Sequence, residues 1–107
     1  MIGNITTVGI QCTDLEASKR FYSEKLGLQL VAGGRGWAVL NGGTVSISLW
    51  QGATPATVIG FDGGKLEEIR TALEAEGISA GDPEPHPGGR HFNVFDPDGN
   101  RVMISVL

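Results

Sequence analysis

The sequence predicts an α+β fold of two βαβββ modules, the second abbreviated, forming a curled mixed sheet with its helices outside. Three observations carry that prediction. A run of strand, cap, helix and glycine near the start recurs about fifty residues later. Glycine pairs (33–34, 42–43, 63–64 and 88–89) punctuate short apolar runs as turns do. Within those runs apolar and polar residues alternate, the signature of strands with two unlike faces.

The first element is "ITTVGIQC" (5–12), rich in β-branched residues and therefore extended. "TDLEAS" follows, where Thr13 or Asp14 caps a helix and Thr13 with Glu16 has capping-box spacing. Leu15, Ser18, Tyr22 and Leu26 recur at helical spacing, and Phe21 widens the stripe. Gly27 stands where a left-handed residue ends a helix. Three short strands are expected around 28–32, 36–41 and 44–50.

The second pass reads "TVIGFDGGKLEEIRTALEAEGI": a strand, a break, then a helix with Leu66, Ile69 and Leu73 on one face, ending at Gly77. At an offset of fifty, Thr7 meets Thr57 and Gly27 meets Gly77, and at a larger offset "GGTVSISLW" matches "GNRVMISVL" at the module ends. The chain is thus expected to be one domain, with module one at 1–50, a linker at 51–55 and module two at 56–107. The three prolines of "AGDPEPHPGGR" weaken the middle strands of module two, because proline cannot serve a central strand.

Alternation assigns the faces. Val102, Ile104 and Val106 oppose Arg101, Met103 and Ser105, while Val45, Ile47 and Leu49 oppose Thr44, Ser46, Ser48 and Trp50. The aliphatic sets suit the helices. The opposite sets, polar with a large aromatic, suit a ligand trough where the two modules curl together.

Composition narrows the function. The chain has 107 residues and a net charge of −4, with no basic patch, which argues against nucleic acid. No apolar run is long enough to cross a bilayer and no signal-like segment precedes one, so no membrane association is expected. Cys12 is alone and shares the helix-side face with Val8 and Ile10, so it reads as a core residue, and a reducing cytoplasm is the expected compartment. No Ser–His pairing, dinucleotide fingerprint or P-loop occurs.

In "FDPDGNRVMISVL" the residues Asp96, Asp98 and Asn100 alternate as in a calcium loop. An EF-hand starting at Asp96 would need glycine at the sixth position and glutamate at the twelfth, where Arg101 and Leu107 stand. The stretch is instead a turn: Pro97 fixes φ, Gly99 permits a positive φ, and Asp96 and Asn100 close the loop.

"TVGIQCTDLEASKRFYSEKLGLQL", with Asp14-Leu15, Phe21-Tyr22 and Leu26-Gly27-Leu28 in order, resembles the opening of the vicinal oxygen chelate superfamily. That group contains glyoxalase I, extradiol dioxygenases, and fosfomycin- and bleomycin-resistance proteins. "FDPDGNRVMIS" resembles its closing hairpin, so the likeness spans nearly the whole chain. The resemblance implies four inward strand positions that hold a metal in the metal-using members, typically as His, Gln or Glu. In this chain they fall on Thr7, Ser46 (Ser48 if the register moves by two), Thr57 and Met103. Hydroxyls and a thioether are poor ligands for a divalent first-row ion. Sliding each strand by two brings Gly9, Ser48, Ile59 or Ser105, and no ligand either. No metal and no cofactor are therefore expected.

Other candidates line the same faces. Trp37 and Trp50 offer flat surfaces for a planar or cationic ligand, although Trp37 serves equally well as core or dimer interface. Ser46, Ser48, Thr7 and Thr57 supply hydroxyls, and His91, Asn93 and Met103 come from the last two strands, with the register of 90–95 left open. His86 reads as a solvated loop residue, and the alternative is a metal site rebuilt from His86 and His91 with Asp96 and Glu84 nearby, although two histidines on a loop lack fixed ligand spacing. The expected function is metal-independent binding of a small organic ligand, cationic or aromatic, by an antibiotic-sequestering, bleomycin-resistance-like homodimer. The rival is a glyoxalase- or dioxygenase-like lyase or isomerase, with displaced metal ligands or with cofactor-free acid–base chemistry from Glu84, Asp82 or His91. A regulatory, partner-binding domain is a third reading.

Overall fold

The computed structural model of the chain describes residues 2–106. They form two compact units, residues 6–57 and residues 58–106 together with 2–5. Each unit is a βαβββ motif, so the fold class is the α+β one that the repeat predicts.

The first unit contains β1 (Ile5–Cys12), α1 (Leu15–Arg20), β2 (Leu30–Gly34), β3 (Trp37–Asn41) and β4 (Ser46–Gln51). Its strands lie in the order β2-β3-β4-β1, with β1 parallel to β4 and the other pairs antiparallel. Asp14, not Thr13, caps α1: its carboxylate accepts from the Ala17 amide at 3.1 Å. The Thr13–Glu16 capping box does not form; Glu16 pairs with Lys19 at 3.4 Å instead. Such a cap stabilises a helix by about 1 kcal/mol.

Beyond Arg20 the helix widens into a π turn, Phe21–Lys25, closed by the Leu26 amide donating to the Phe21 carbonyl at 3.0 Å. The wider turn rotates the stripe away from its 3.6-residue course. Tyr22 packs on the core, but Phe21 and Leu26 do not follow it and remain 49% and 55% exposed. Gly27 then takes φ +78°, the left-handed stop expected of it.

The core of this unit is Cys12, Leu15, Leu40 and Leu49, flanked by Ile10, Tyr22, Leu28 and Ile47. Cys12 is buried, as its alternation requires. The end of β4 is tied to the start of α1. Gln51 accepts from the Leu15 amide at 2.9 Å and donates to the Thr13 carbonyl at 2.6 Å, pinning the helix start.

The second unit contains β5 (Ala56–Asp62), α2 (Leu66–Ala75), β6 (Glu84–His86), β7 (Gly89–Phe95) and β8 (Arg101–Val106). The order is β5-β8-β7-β6, with β5 parallel to β8. Pro85 is tolerated because β6 is a three-residue strand at the end of this order. Leu66, Ile69 and Leu73 bury their shared face against Phe92, Val94 and Ile104. Residues before β1 join this unit: the Gly3 amide donates to the Asp62 carbonyl at 2.7 Å, and the Asp62 amide to the Asn4 carbonyl at 3.0 Å. No helix among the described residues is long and apolar enough to cross a membrane.

The loop between β7 and β8 closes as a turn. Both carboxylate oxygens of Asp96 are engaged: one accepts from the Asp98 and Asn100 amides, the other from the Asn100 side chain at 2.9 Å. Gly99 sits at φ +83°. These bonds, that from the Asn100 side chain first, lower the Asp96 pKa.

Candidate functional site

Opposite α1, the first unit presents a face whose strand residues carry no charge. The parallel register sets Thr7 beside Ser46, Gly9 beside Ser48 and Gln11 beside Trp50, and β3 sets Trp37 across from Trp50. Ile10, Cys12, Ile47 and Leu49 point to the helix, so their alternating neighbours share the other face. The sequence-predicted Thr7, Ser46, Ser48, Trp37 and Trp50 are thereby brought together.

Gln11 completes this face and was not singled out from sequence. Its carbonyl oxygen accepts from the Trp50 indole N–H at 3.0 Å, and its amide nitrogen donates to the Thr54 carbonyl at 2.8 Å. The two bonds fix both the amide and the indole. The signal was present, since Gln11 alternates with Thr7 between two core residues. Trp37 is held differently. A Cβ built at Gly34 would come within 2.5 Å of its Nε1, so the indole lies flat over the β2 backbone, where only glycine leaves room.

In the second unit, Met103 and Ser105 oppose α2, as alternation predicts, and β7 sets Asn93 beside Met103 and His91 beside Ser105. This settles the register of 90–95: His91 and Asn93 face away from Phe92 and Val94, which lie in the core. Arg90 falls on the Phe92 side.

Thr57 is a correction. Phe61 packs into the helix-side core, so two-residue alternation carries Ile59 and Thr57 to that same side of β5. The structural repeat runs at fifty-one residues rather than fifty: Leu15 and Leu66 open their helices, and Gly9 and Gly60 are the buried glycines of their strands. Val58, only 2% exposed, is then the mate of Thr7. A one-residue slip flips a side chain to the other face.

His86 is a second correction. It is a half-buried strand residue of β6, not a solvated loop residue. Its Nδ1 lies 2.8 Å from the His91 Nδ1, with ring centroids 5.0 Å apart. Glu84 stands 3.9 Å from the His91 Nε2. Burial first, then the charge of His91, lowers the His86 pKa; burial lowers that of His91 too, with Glu84 opposing the shift and Arg101 adding to it. Both imidazoles are thus neutral near pH 7. Both His91 nitrogens look toward β6, so Ser105, although beside His91 in the sheet, has no base aimed at it. Asp82 is occupied by Arg70 at 2.8 Å. Among the described residues, no group of three or more His, Cys, Asp or Glu is placed to hold a metal ion.

A family model described as Glyoxalase/Bleomycin resistance protein/Dioxygenase superfamily matches residues 4–104. The fold is similar to that of methylmalonyl-CoA epimerase from Mycobacterium tuberculosis, with a TM-score of 0.82 and 18% identity, covering 94% of this chain and 85% of that one. It is also similar to homoprotocatechuate 2,3-dioxygenase from B. fuscum, with a TM-score of 0.75 and 20% identity over 96% of this chain and 32% of that one. The Mn(II)-bound glyoxalase from Novosphingobium aromaticivorans gives a TM-score of 0.76 and 26% identity, over 97% of this chain and 38% of that one. This chain therefore spans only about a third of the latter two proteins. No curated protein sequence matches it.

Proposed function

Because the chain belongs to the glyoxalase/bleomycin resistance protein/dioxygenase superfamily, yet carries no ligand at that family's four metal positions, we propose that it binds a small organic molecule without a metal. The strand face opposite α1 is the binding surface. One observation carries this reading: Trp50, locked by Gln11, stands in a row with the hydroxyls of Ser48 and Ser46 on a face whose strand residues carry no charge. A fixed indole offers a rigid plane at little entropic cost, and the hydroxyls orient whatever rests on it.

The charge distribution narrows the ligand class. In the first unit every acidic residue (Asp14, Glu16 and Glu24) lies at the cap of α1, in α1 or in its π turn, so the negative surplus gives a cation no partner on the strand face. A neutral aromatic compound with hydrogen-bonding substituents fits better than a cation. The protein is expected to act as a homodimer that sequesters such a compound.

Intrinsic tryptophan fluorescence tests the reading. Neutral aromatic, antibiotic-like compounds should quench it saturably. Trp50→Phe should abolish most of the quenching, and Gln11→Ala should weaken binding about tenfold, as the loss of about 1.4 kcal/mol of preorganisation implies. Quenching that is indifferent to both substitutions would refute the surface.

The rival reading, an enzyme working by acid–base chemistry, has one observation in its favour: the neutral pair of His86 and His91 beside Glu84. Turnover would then be lost in His91→Gln while Trp50→Phe left it intact.

A further inference from the structure

We propose that His86 and His91 form a two-nitrogen chelating site for a divalent late first-row transition metal, with Cu²⁺ and Ni²⁺ preferred over Zn²⁺. The site goes beyond the strand-face reading: it lies in the other unit, uses none of the family's four metal positions and is independent of the tryptophans.

The β6–β7 hairpin builds it. His86 pairs with Gly89, and Glu84 with His91, so the two histidines are diagonal neighbours on one face. Gly89 has no side chain, which leaves the two rings room to close toward each other. The connection is only Pro87 and Gly88, where proline presets φ and Gly88 takes φ +88°, so the hairpin is short and stiff. Sequence spacing alone shows none of this.

Distance selects the metal. Two nitrogens 2.8 Å apart, each bound at about 2.05 Å, subtend roughly 85° at a shared ion, close to the cis angle of tetragonal or octahedral coordination and short of the tetrahedral angle that zinc adopts. The absence of a third His, Cys, Asp or Glu donor among the described residues leaves the remaining positions to water. Affinity then rests on the imidazoles and follows the order Cu²⁺ > Ni²⁺, Cu²⁺ > Zn²⁺.

The protons balance. Each neutral imidazole carries one proton, and the present contact places one of them on a Nδ1. On metal binding that proton moves to Nε2 of the same ring, both Nδ1 lone pairs go to the metal, and no net proton is released. The His91 Nε2–H then faces Glu84, 3.9 Å away, the carboxylate that orients a ligating histidine from behind. Arg101 bears on His91 as well, and the Glu84 charge offsets it.

The test uses the tag-free full chain, stripped with chelator and titrated calorimetrically with Cu²⁺, Ni²⁺ and Zn²⁺ salts. One ion per chain should bind, with Cu²⁺ tightest. His86→Gln and His91→Gln should each weaken Cu²⁺ binding tenfold or more, and Glu84→Gln about tenfold. Electron paramagnetic resonance of the Cu²⁺ form should show coupling to two imidazole nitrogens, a readout that needs no variant to fold. No saturable binding, binding that survives either histidine substitution, or a spectrum without imidazole coupling overturns the site. Quenching by aromatic compounds in the stripped protein reports on the strand face separately, so failure of either reading leaves the other distinguishable.

Discussion

His86 and His91 give the clearest consequence at the scale of single residues. Burial lowers both pKa values in the folded chain; the charge of His91 adds to the shift at His86, while Glu84 opposes it and Arg101 adds to it at His91. The unfolded chain therefore binds more protons once the pH falls below its own value of about 6.5. Stability from the neutral pair is fully present above that pH and is lost as the pH falls through the folded values. In chelator, the melting temperature should drop between pH 7 and pH 5.5, and the double variant His86→Gln/His91→Gln should flatten that drop; an equally steep decline would contradict the assignment. Residues were unevenly legible in the sequence. Ser46, Ser48, Trp50 and Met103 followed from alternation inside one strand, which needs no partner. Thr57 was misplaced because matching the two modules by identity tolerates a slip of one residue. The histidine contact depends on a cross-strand register that a proline-rich segment hides.

Elements were easier to read where one residue decides a boundary. Asp14 and the left-handed Gly27 and Gly77 mark helix ends by chemistry that neighbours do not override. The π turn was not legible, because a 3.6-residue template has no place for the added residue per turn, and so Phe21 and Leu26 were drawn onto the core stripe. Helix–sheet packing within each unit sets the larger energies. Phe92 is fully buried beneath α2, so Phe92→Ala should cost about 3–5 kcal/mol in urea unfolding, whereas Asp14→Ala should cost only about 1 kcal/mol. Equal losses would mean that the α2 core contributes less than its burial implies.

For the molecule as a whole, the repeat was readable as an ordered series of elements, although few identities support it, because each module must solve the same problem of covering one sheet face with one helix. Association is the next level. Every residue of β2 is exposed, including Leu30 and Val31, and β2 is the last strand in its unit's order. Strands of that kind recruit another chain unless they are blunted. Sedimentation should therefore find a dimer that Val31→Lys shifts toward monomer; a wild-type monomer at all concentrations would contradict the proposed homodimer.

Ligand binding without metal at the family positions is the central claim, and one comparison tests it most directly. The affinity of the best-quenching aromatic compound is measured by Trp50 fluorescence in protein as purified and in protein stripped with EDTA. Metal-free binding predicts the same dissociation constant in both. Loss of binding on stripping, restored by returning a divalent ion, would contradict it.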